Sequence, residues 1–444
     1  MPQSPVIQID EKLTQGPKHD MASAPFHVMT KPIGPLCNLD CEYCFYLEKE
    51  NLYGSNERFK MSEETLEAYV RNYIESQPEH TVTFAWQGGE PTLMGVKFFQ
   101  KVVEYQKKYA NGRTIENALQ TNGTLLDEDW ARFLHDENFL VGISIDGPEE
   151  LHNHYRVDKK KGPSYAKVIR GIELAKKFKV EFNTLTCVHA GNVDKALDVY
   201  KFLKNIGSGY LQFIPIVERL PDKDSRDIGL QLAHPPDFRN PPIEKRPPVM
   251  AHWAVDPHKY GEFLCKIFDR WVTRDVGKTY VQIIDMALGK WLNIPGGLCV
   301  FSETCGKAMA IEHDGDVFAC DHYVYPRYKV GNVLNQSLGA IVESDAMKQF
   351  GQDKKLGLPQ QCVKCDVRFA CHGECPKHRF TWTKDGEFGL NYLCPSYLKF
   401  FRHIDPAMQI MAQLYRNRRA PAEIMPMLKK DPKLLDKQRA ASRR

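Results

Sequence analysis

Residues 27–44 read His27-Val-Met-Thr-Lys-Pro-Ile-Gly-Pro-Leu-Cys37-Asn-Leu-Asp-Cys41-Glu-Tyr-Cys44. The first four residues have the character of a short strand, and Pro32, Gly34 and Pro35 then forbid a regular continuation. A loop carrying three thiols at C-x3-C-x2-C spacing therefore follows the strand directly. Three thiolates cannot close the shell of a four-iron cubane: one iron stays open to a chelating small molecule, whereas a structural metal site is normally closed. A three-cysteine zinc site or a chance cluster is the competing reading of the same letters.

Outward from this loop, β-branched or aromatic runs recur at 81–86, 114–120, 139–145, 180–188 and 210–216, separated by stretches with helical spacing. In one of these, 62–76, Ser62 is placed to cap and Glu63 and Glu64 favour the positive helix end. Strand and helix in alternation predict an α/β fold with a parallel sheet, a curved or partial (β/α) barrel whose functional residues lie just after the strands. Those positions hold Gln87-Gly88-Gly89-Glu90-Pro91, Thr121-Asn122-Gly123 and Ser144-Ile-Asp146-Gly147, with Arg156 shortly beyond. Glycines admit close backbone approach to a ligand, and Glu90 with free carbonyls suits an ammonium group. A serine hydroxyl and a guanidinium suit ribose oxygens and a carboxylate. Asn122 and Asp146 read equally well as turn formers.

Between Pro215 and Pro257 three Pro-Pro pairs interrupt regular structure, which predicts a connection or a substrate-facing loop. Helical spacing returns at 260–274 and 281–292, and a cysteine-dense stretch runs from Cys299 to Cys394. The expected division is a lead-in over 1–24, a barrel over 25–220, a Pro-rich connection with helices over 221–295, a cysteine-rich domain over 296–400, and a C-terminal helix with a basic tail over 401–444. The tail from Lys429 on has little to bury and is expected to fray.

The chain has 444 residues, room for about two or three domains. At 42% apolar and 26% charged it lies in the globular range, and 60 basic against 56 acidic side chains leave a net charge of +4. That balance gives no sign of a nucleic-acid or membrane surface. No run approaches the roughly 18–20 apolar residues of a membrane span, and the polar start lacks a secretory core, which predicts a cytoplasmic protein. Thirteen cysteines in such a chain point to metal rather than disulfides.

The late cysteines are Cys299, Cys305, Cys320, Cys362, Cys365, Cys371, Cys375 and Cys394. Eight thiols close two four-iron clusters, and two tetrahedral zinc sites satisfy the same count. Cys187 and Cys265 remain over and read as packed small hydrophobes. Asp321, directly after Cys320, would be held in fixed geometry by a metal-bound neighbour and is a candidate base; His313 and His322 read as packing groups.

The C-x3-C-x2-C loop with Tyr43 before its third thiol resembles the signature of the radical S-adenosylmethionine (SAM) superfamily. The stretch Cys37–Cys394, including Gln212-Phe-Ile-Pro-Ile-Val-Glu218, Gly297-Leu-Cys-Val-Phe301 and Cys320-Asp-His-Tyr323, is similar to the anaerobic sulfatase-maturating enzymes. That resemblance implies a partial (β/α)6 barrel of radical SAM type with a C-terminal SPASM domain. It implies three [4Fe-4S] clusters: one on Cys37, Cys41 and Cys44 that binds SAM, one on Cys299, Cys305, Cys320 and Cys375, and one on Cys362, Cys365, Cys371 and Cys394. It assigns Tyr43, Gln87, Gly88, Gly89, Glu90, Ser144 and Arg156 to SAM, and proton acceptance to Asp321. The implied reaction is oxygen-independent oxidation of a cysteine or serine in an unfolded sulfatase polypeptide to Cα-formylglycine by a 5′-deoxyadenosyl radical, with electrons exchanged with a flavodoxin or ferredoxin. Another SPASM peptide modifier, forming thioethers or epimerising residues, would share every cluster ligand, and a zinc-binding interaction protein is the alternative outside enzymes.

Overall fold

The structure is a computed structural model describing residues 20–207, 209–243, 245–294 and 297–441. Its strands are β1 (His27–Thr30), β2 (Thr81–Trp86), β3 (Thr114–Thr121), β4 (Phe139–Ser144), β5 (Phe182–Val188), β6 (Tyr210–Pro215), β7 (Tyr280–Val281), β8 (Ala308–Ile311), β9 (Asp316–Phe318) and β10 (Lys329–Asn332). All six strand runs read from the sequence are present, with ends shifted by up to two residues. Among the described residues they form one sheet in the order β10-β9-β8-β1-β2-β3-β4-β5-β6-β7. Neighbours from β8 through β1 to β7 are parallel, and β9 and β10 are antiparallel. The sheet is open, with β10 and β7 at its two edges, so the barrel is partial as expected.

Helices connect the parallel strands and cover the sheet's outer face. The helix Glu63–Ser76 starts where the sequence predicts, with the Ser62 hydroxyl accepting from the Thr65 N–H at 3.0 Å. Its Tyr69 and Tyr73 meet Phe84 and Trp86 of β2, and Trp86 meets Phe99 of the next helix. Trp86 is fully buried and its indole N–H donates to Asn117 Oδ1 at 2.9 Å, so the ring is packed and its one polar atom satisfied. Removing such a ring costs about 3–5 kcal/mol.

The cysteine-rich region does not stand apart from this sheet. β8 pairs with β1 in parallel over His27↔Ala308 to Thr30↔Ile311, so the late part of the chain extends the early sheet. Periodicity within β1 cannot reveal this, because both neighbours of a central strand see the same residues. The Pro-rich stretch is largely irregular, with one short helix, Lys223–Asp227, and an isolated bridge between Arg219 and Met250.

One expectation is overturned: the tail is not frayed from Lys429. The chain is helical over Ile424–Lys430 and Leu434–Ala441. Leu434 and Leu435 are partly buried against the core, and Gln438 donates to Gln409 of the long helix Cys394–Arg416 at 2.9 Å. Two adjacent leucines anchor an otherwise basic segment. Of the predicted lead-in, residues 1–19 lie outside the described residues, while Ala22 is buried and its N–H donates to Ser76 O.

Candidate active site

The parallel strands end on one edge of the sheet, and the loops leaving that edge gather the early candidates. The Cys37–Cys44 loop is held by backbone contacts: Gly89 N–H donates to Gly34 O and Glu90 N–H to Leu36 O, both at 2.8 Å, and Glu42 N–H donates to Tyr155 O. Gly89 lies so close that a Cβ there would overlap the Leu36 carbonyl, and Gly88 takes φ 134°. Only glycines allow the two loops to dock. Gln87 N–H donates to Thr30 O, fixing the start of the turn.

Glu90 is bound by the protein's own donors. Its carboxylate is fully buried and accepts from Thr92 N–H, Thr92 Oγ1, Thr121 Oγ1 and Asn122 N–H. Three of these bonds go to Oε1 and tie the strand ends together, while Oε2 takes only the one from Asn122 N–H and keeps acceptor capacity. Asn122 caps its own turn by accepting from Thr124 N–H, as a turn former does, while its Nδ2 reaches Cys37 Sγ at 3.7 Å. Ser144 Oγ accepts from Gln120 Nε2 at 3.1 Å and remains partly accessible.

Behind the three thiols lies a buried polar knot. Asp146 is wholly buried and accepts from Tyr43 Oη at 2.5 Å, Arg156 Nε at 2.9 Å and Cys187 N–H at 2.9 Å. Burial opposes its charge, but Arg156 and His189 overcome that and hold the carboxyl well below the usual range. Asp146 is thus no turn former; it fixes Tyr43, which precedes Cys44. Arg156 is buried, with Nε on Asp146 and Nη2 on Cys187 Sγ at 3.5 Å. Burial pushes the Cys37 thiol up to about 12 and raises Cys41 and Cys44 as well. Three such thiols lie within electrostatic reach of one another, with Glu90 raising Cys37 and Asp146 raising Cys41 further, a donor set that loses its protons to a bound metal.

The eight late thiols separate into two groups. Cys375 lies in electrostatic reach of Cys320, Cys305 and Cys299, drawn together around β9 and the loop at 372–376. Cys394, Cys362, Cys365 and Cys371 form the other group and line a cavity of about 510 Å³ with Arg402 and Leu398. Burial raises every one of these thiols. Among the described residues no three His, Cys, Asp or Glu side chains converge on a single point as they do around one ion. The second quartet instead encloses a volume, which suits a polynuclear cluster. Cys187 and Cys265 are buried at 8% and 7% exposure; Cys265 lies in the apolar core, and Cys187 backs the Asp146 knot.

Asp321 sits between the early loop and the late thiols. Lys31, six residues before Cys37, reaches it at 2.5 Å, and the Lys31 ammonium also lies over the Tyr46 ring at 3.9 Å. Lys31 is buried, and the Asp321 side chain is 18% exposed although its Oδ1 is itself buried. Burial works against its charge, but Lys31 and then His322 more than offset this and hold the carboxyl below its ordinary value. His322 meets Phe45 edge-on and Cys375 Sγ at 3.4 Å, and His313 lies between Tyr53 and Phe59 with Nε2 on Glu57 at 2.9 Å; both are packing groups, as expected. Sequence reasoning missed Lys31 and the buried Lys377–Glu218 pair at 2.5 Å. Lys31 directly follows the first strand, and nothing in the sequence around it marked it out.

Comparison with known proteins agrees with this geometry. The radical SAM superfamily matches residues 32–203, and the SPASM iron-sulfur cluster-binding domain matches residues 299–366. A serine-type anaerobic sulfatase-maturating enzyme of Bacteroides thetaiotaomicron is 47% identical over 406 residues, covering 91% of this chain and 95% of the relative. A cysteine-type anaerobic sulfatase-maturating enzyme of Clostridium perfringens is 34% identical over 388 residues, 86% and 97% of the two chains. A solved structure described as native anSMEcpe with bound AdoMet and Cp18Cys peptide superposes with a TM-score of 0.75 at 32% identity, covering 88% of this chain and 99% of that one.

Proposed function

The chain belongs to the anaerobic sulfatase-maturating enzymes of the radical SAM superfamily, and from that membership we propose how its own residues divide the work. The reaction is the oxygen-independent oxidation of a cysteine or serine in a sulfatase polypeptide to Cα-formylglycine. When bound, SAM and the iron-sulfur clusters supply a carbon radical able to take hydrogen from the substrate Cβ and a path for the electron left behind. Cys37, Cys41 and Cys44 hold the SAM-binding cluster; Cys299, Cys305, Cys320 and Cys375 hold one auxiliary cluster, and Cys362, Cys365, Cys371 and Cys394 the other. The residues from 25 to 220 act as the radical SAM unit and those from 296 to 400 as the SPASM unit.

Gln87, Gly88 and Gly89 present backbone groups to the SAM methionine moiety, Ser144 presents its hydroxyl to the ribose, and Tyr43 walls the site. Glu90 and Arg156 keep those groups in place from behind. Asp321 accepts the proton of the substrate thiol or hydroxyl, with Lys31 keeping that carboxylate ionised and aimed. The observation that carries this reading is the Lys31–Asp321 pair, which joins the residue that follows the first strand to the neighbour of Cys320.

The substrate arrives as an extended, unfolded segment, and a flavodoxin- or ferredoxin-type protein exchanges the electrons. No described helix is long and apolar enough to cross a membrane, which suits work in the cytoplasm. Because the relative at 47% identity is serine-type, the test pairs serine and cysteine peptides of the pattern Ser/Cys-x-Pro-x-Arg. Anaerobically reconstituted protein should convert at least one of them to the aldehyde, read by mass spectrometry. A cross-linked product, or unchanged mass with both peptides, would reject the assignment.

A further inference from the structure

Two cations lie buried beside the late thiols without a carboxylate partner. Lys354 is fully buried, and its ammonium donates to the backbone carbonyls of Cys299 at 2.9 Å and Val300 at 2.8 Å. Arg379 is also fully buried and spends its guanidinium on carbonyls: Nε on Gly389 O at 3.0 Å, Nη1 on Lys354 O at 2.7 Å, and Nη2 on Gly357 O. Neither forms an ion pair among the described residues. Buried charges are normally paired, because carbonyl dipoles return only part of the hydration lost.

The neighbourhood indicates where the missing negative charge belongs. Lys354 is the strongest charge acting on Cys299 and on Cys305, whereas Arg379 acts most on Cys362 of the second quartet and less on Cys305 and Cys375. The acids near the first quartet are already engaged. Glu374 takes hydrogen bonds from His378 Nδ1 at 2.9 Å and Asn391 Nδ2 at 2.7 Å, and Asp321 pairs with Lys31. Of the neighbouring acids, Asp353 pairs with Arg239 and Glu303 with Lys355. The second quartet has a different setting: its nearest pair, Asp366 with Arg402, lies at the surface. A four-iron cluster on four thiolates is an anion whose charge grows by one on reduction, and its potential follows local charge and burial.

We propose that Lys354 is a positioning residue of the redox path: held by the backbone carbonyls of Cys299 and Val300, it supplies counter-charge to the Cys299/Cys305/Cys320/Cys375 cluster and raises its reduction potential. The inference rests on the reading of the two quartets as cluster sites. When the substrate has lost a hydrogen atom from Cβ and a proton from sulfur or oxygen, one electron remains to be removed. A cluster held by Cys299, Cys305, Cys320 and Cys375 would supply an acceptor for it, and the Lys354 ammonium, fixed on Cys299 O, would favour the more negative reduced form.

The test is an anaerobic redox titration, read by electron paramagnetic resonance, of the reconstituted full chain and its Lys354→Met, Lys354→Gln and Lys354→Arg variants. Removing the charge should lower the midpoint of one auxiliary signal by a tenfold or greater loss in its reduction equilibrium, about 59 mV for one electron. Lys354→Arg should restore it, and the SAM-binding cluster should not move. A neutral variant with full iron and an unchanged midpoint would overturn the proposal. Iron loss in both neutral variants but not in Lys354→Arg would mark a structural role for the bonds to Cys299 and Val300 and overturn it. Iron loss in all three would mark a packing role and overturn it. A wild type holding about four irons instead of about twelve would instead remove the reading of the quartets themselves.

Discussion

The three early thiols and the eight late ones are assembled by opposite means. Cys37, Cys41 and Cys44 come from one short loop whose shape is set by backbone bonds to the neighbouring strand ends. The late quartets draw Cys299 and Cys394 to either end of a long segment and interleave through Cys375, which leaves its sequence neighbour Cys371 for the other group. A local loop can leave one metal position open for a reactant, whereas two closed quartets suit the handling of electrons. The early site is therefore chemical and the late ones conductive, a contrast that mutation can break or sharpen.

The largest effect is expected at the early loop. Cys41→Ala should abolish SAM cleavage altogether while leaving the auxiliary clusters visible by electron paramagnetic resonance; residual cleavage would dissolve the contrast. Next, Cys375→Ala should remove about four irons and stop formation of the modified peptide, yet spare cleavage of SAM. Asp321→Asn should sharpen the division further. Iron content and SAM cleavage should stay measurable, and aldehyde yield should fall by about 10²–10⁴, the usual worth of a positioned base; a normal yield in a single-turnover assay would remove its role.

The smallest effect concerns the polar knot behind the early loop. His152 is buried and neutral, with Nε2 on Ser164 Oγ at 2.9 Å, and burial lowers its pKa to about 3. In the unfolded chain the value is about 6.5, so between the two the unfolded state binds the extra proton. The stability contributed is full above about pH 6.5 and falls as the pH drops toward 3, by about 2 kcal/mol at pH 5. His152→Gln should flatten that part of the Tm-against-pH curve, and parallel curves for the two proteins would contradict it.

What could be read from the letters follows the same local-against-distant divide. The strands between 27 and 215, the Ser62 cap and the three-thiol loop depend on neighbours in sequence, and each is visible there. The position of Glu90 after β2 was visible, while two of the donors that hold it come from Thr121 and Asn122 at the end of another strand and were not. Lys31, Lys354 and Arg379 carried no signal, since nothing in their surroundings tells a buried cation from a surface one. The grouping through Cys375 was implied by resemblance alone; spacing is silent on it. The tail helix was missed because two leucines in a basic stretch look unremarkable until the long helix they rest on is in place.

The β1–β8 ladder carries one more consequence. Four residues of the first strand are bonded in register to four from the last third of the chain, so backbone fastens the two ends of the catalytic apparatus together. Prying them apart would strand interior hydrogen bonds that are expensive to leave unmade. A peptide that reaches the site therefore meets a frame whose early and late parts share one backbone ladder.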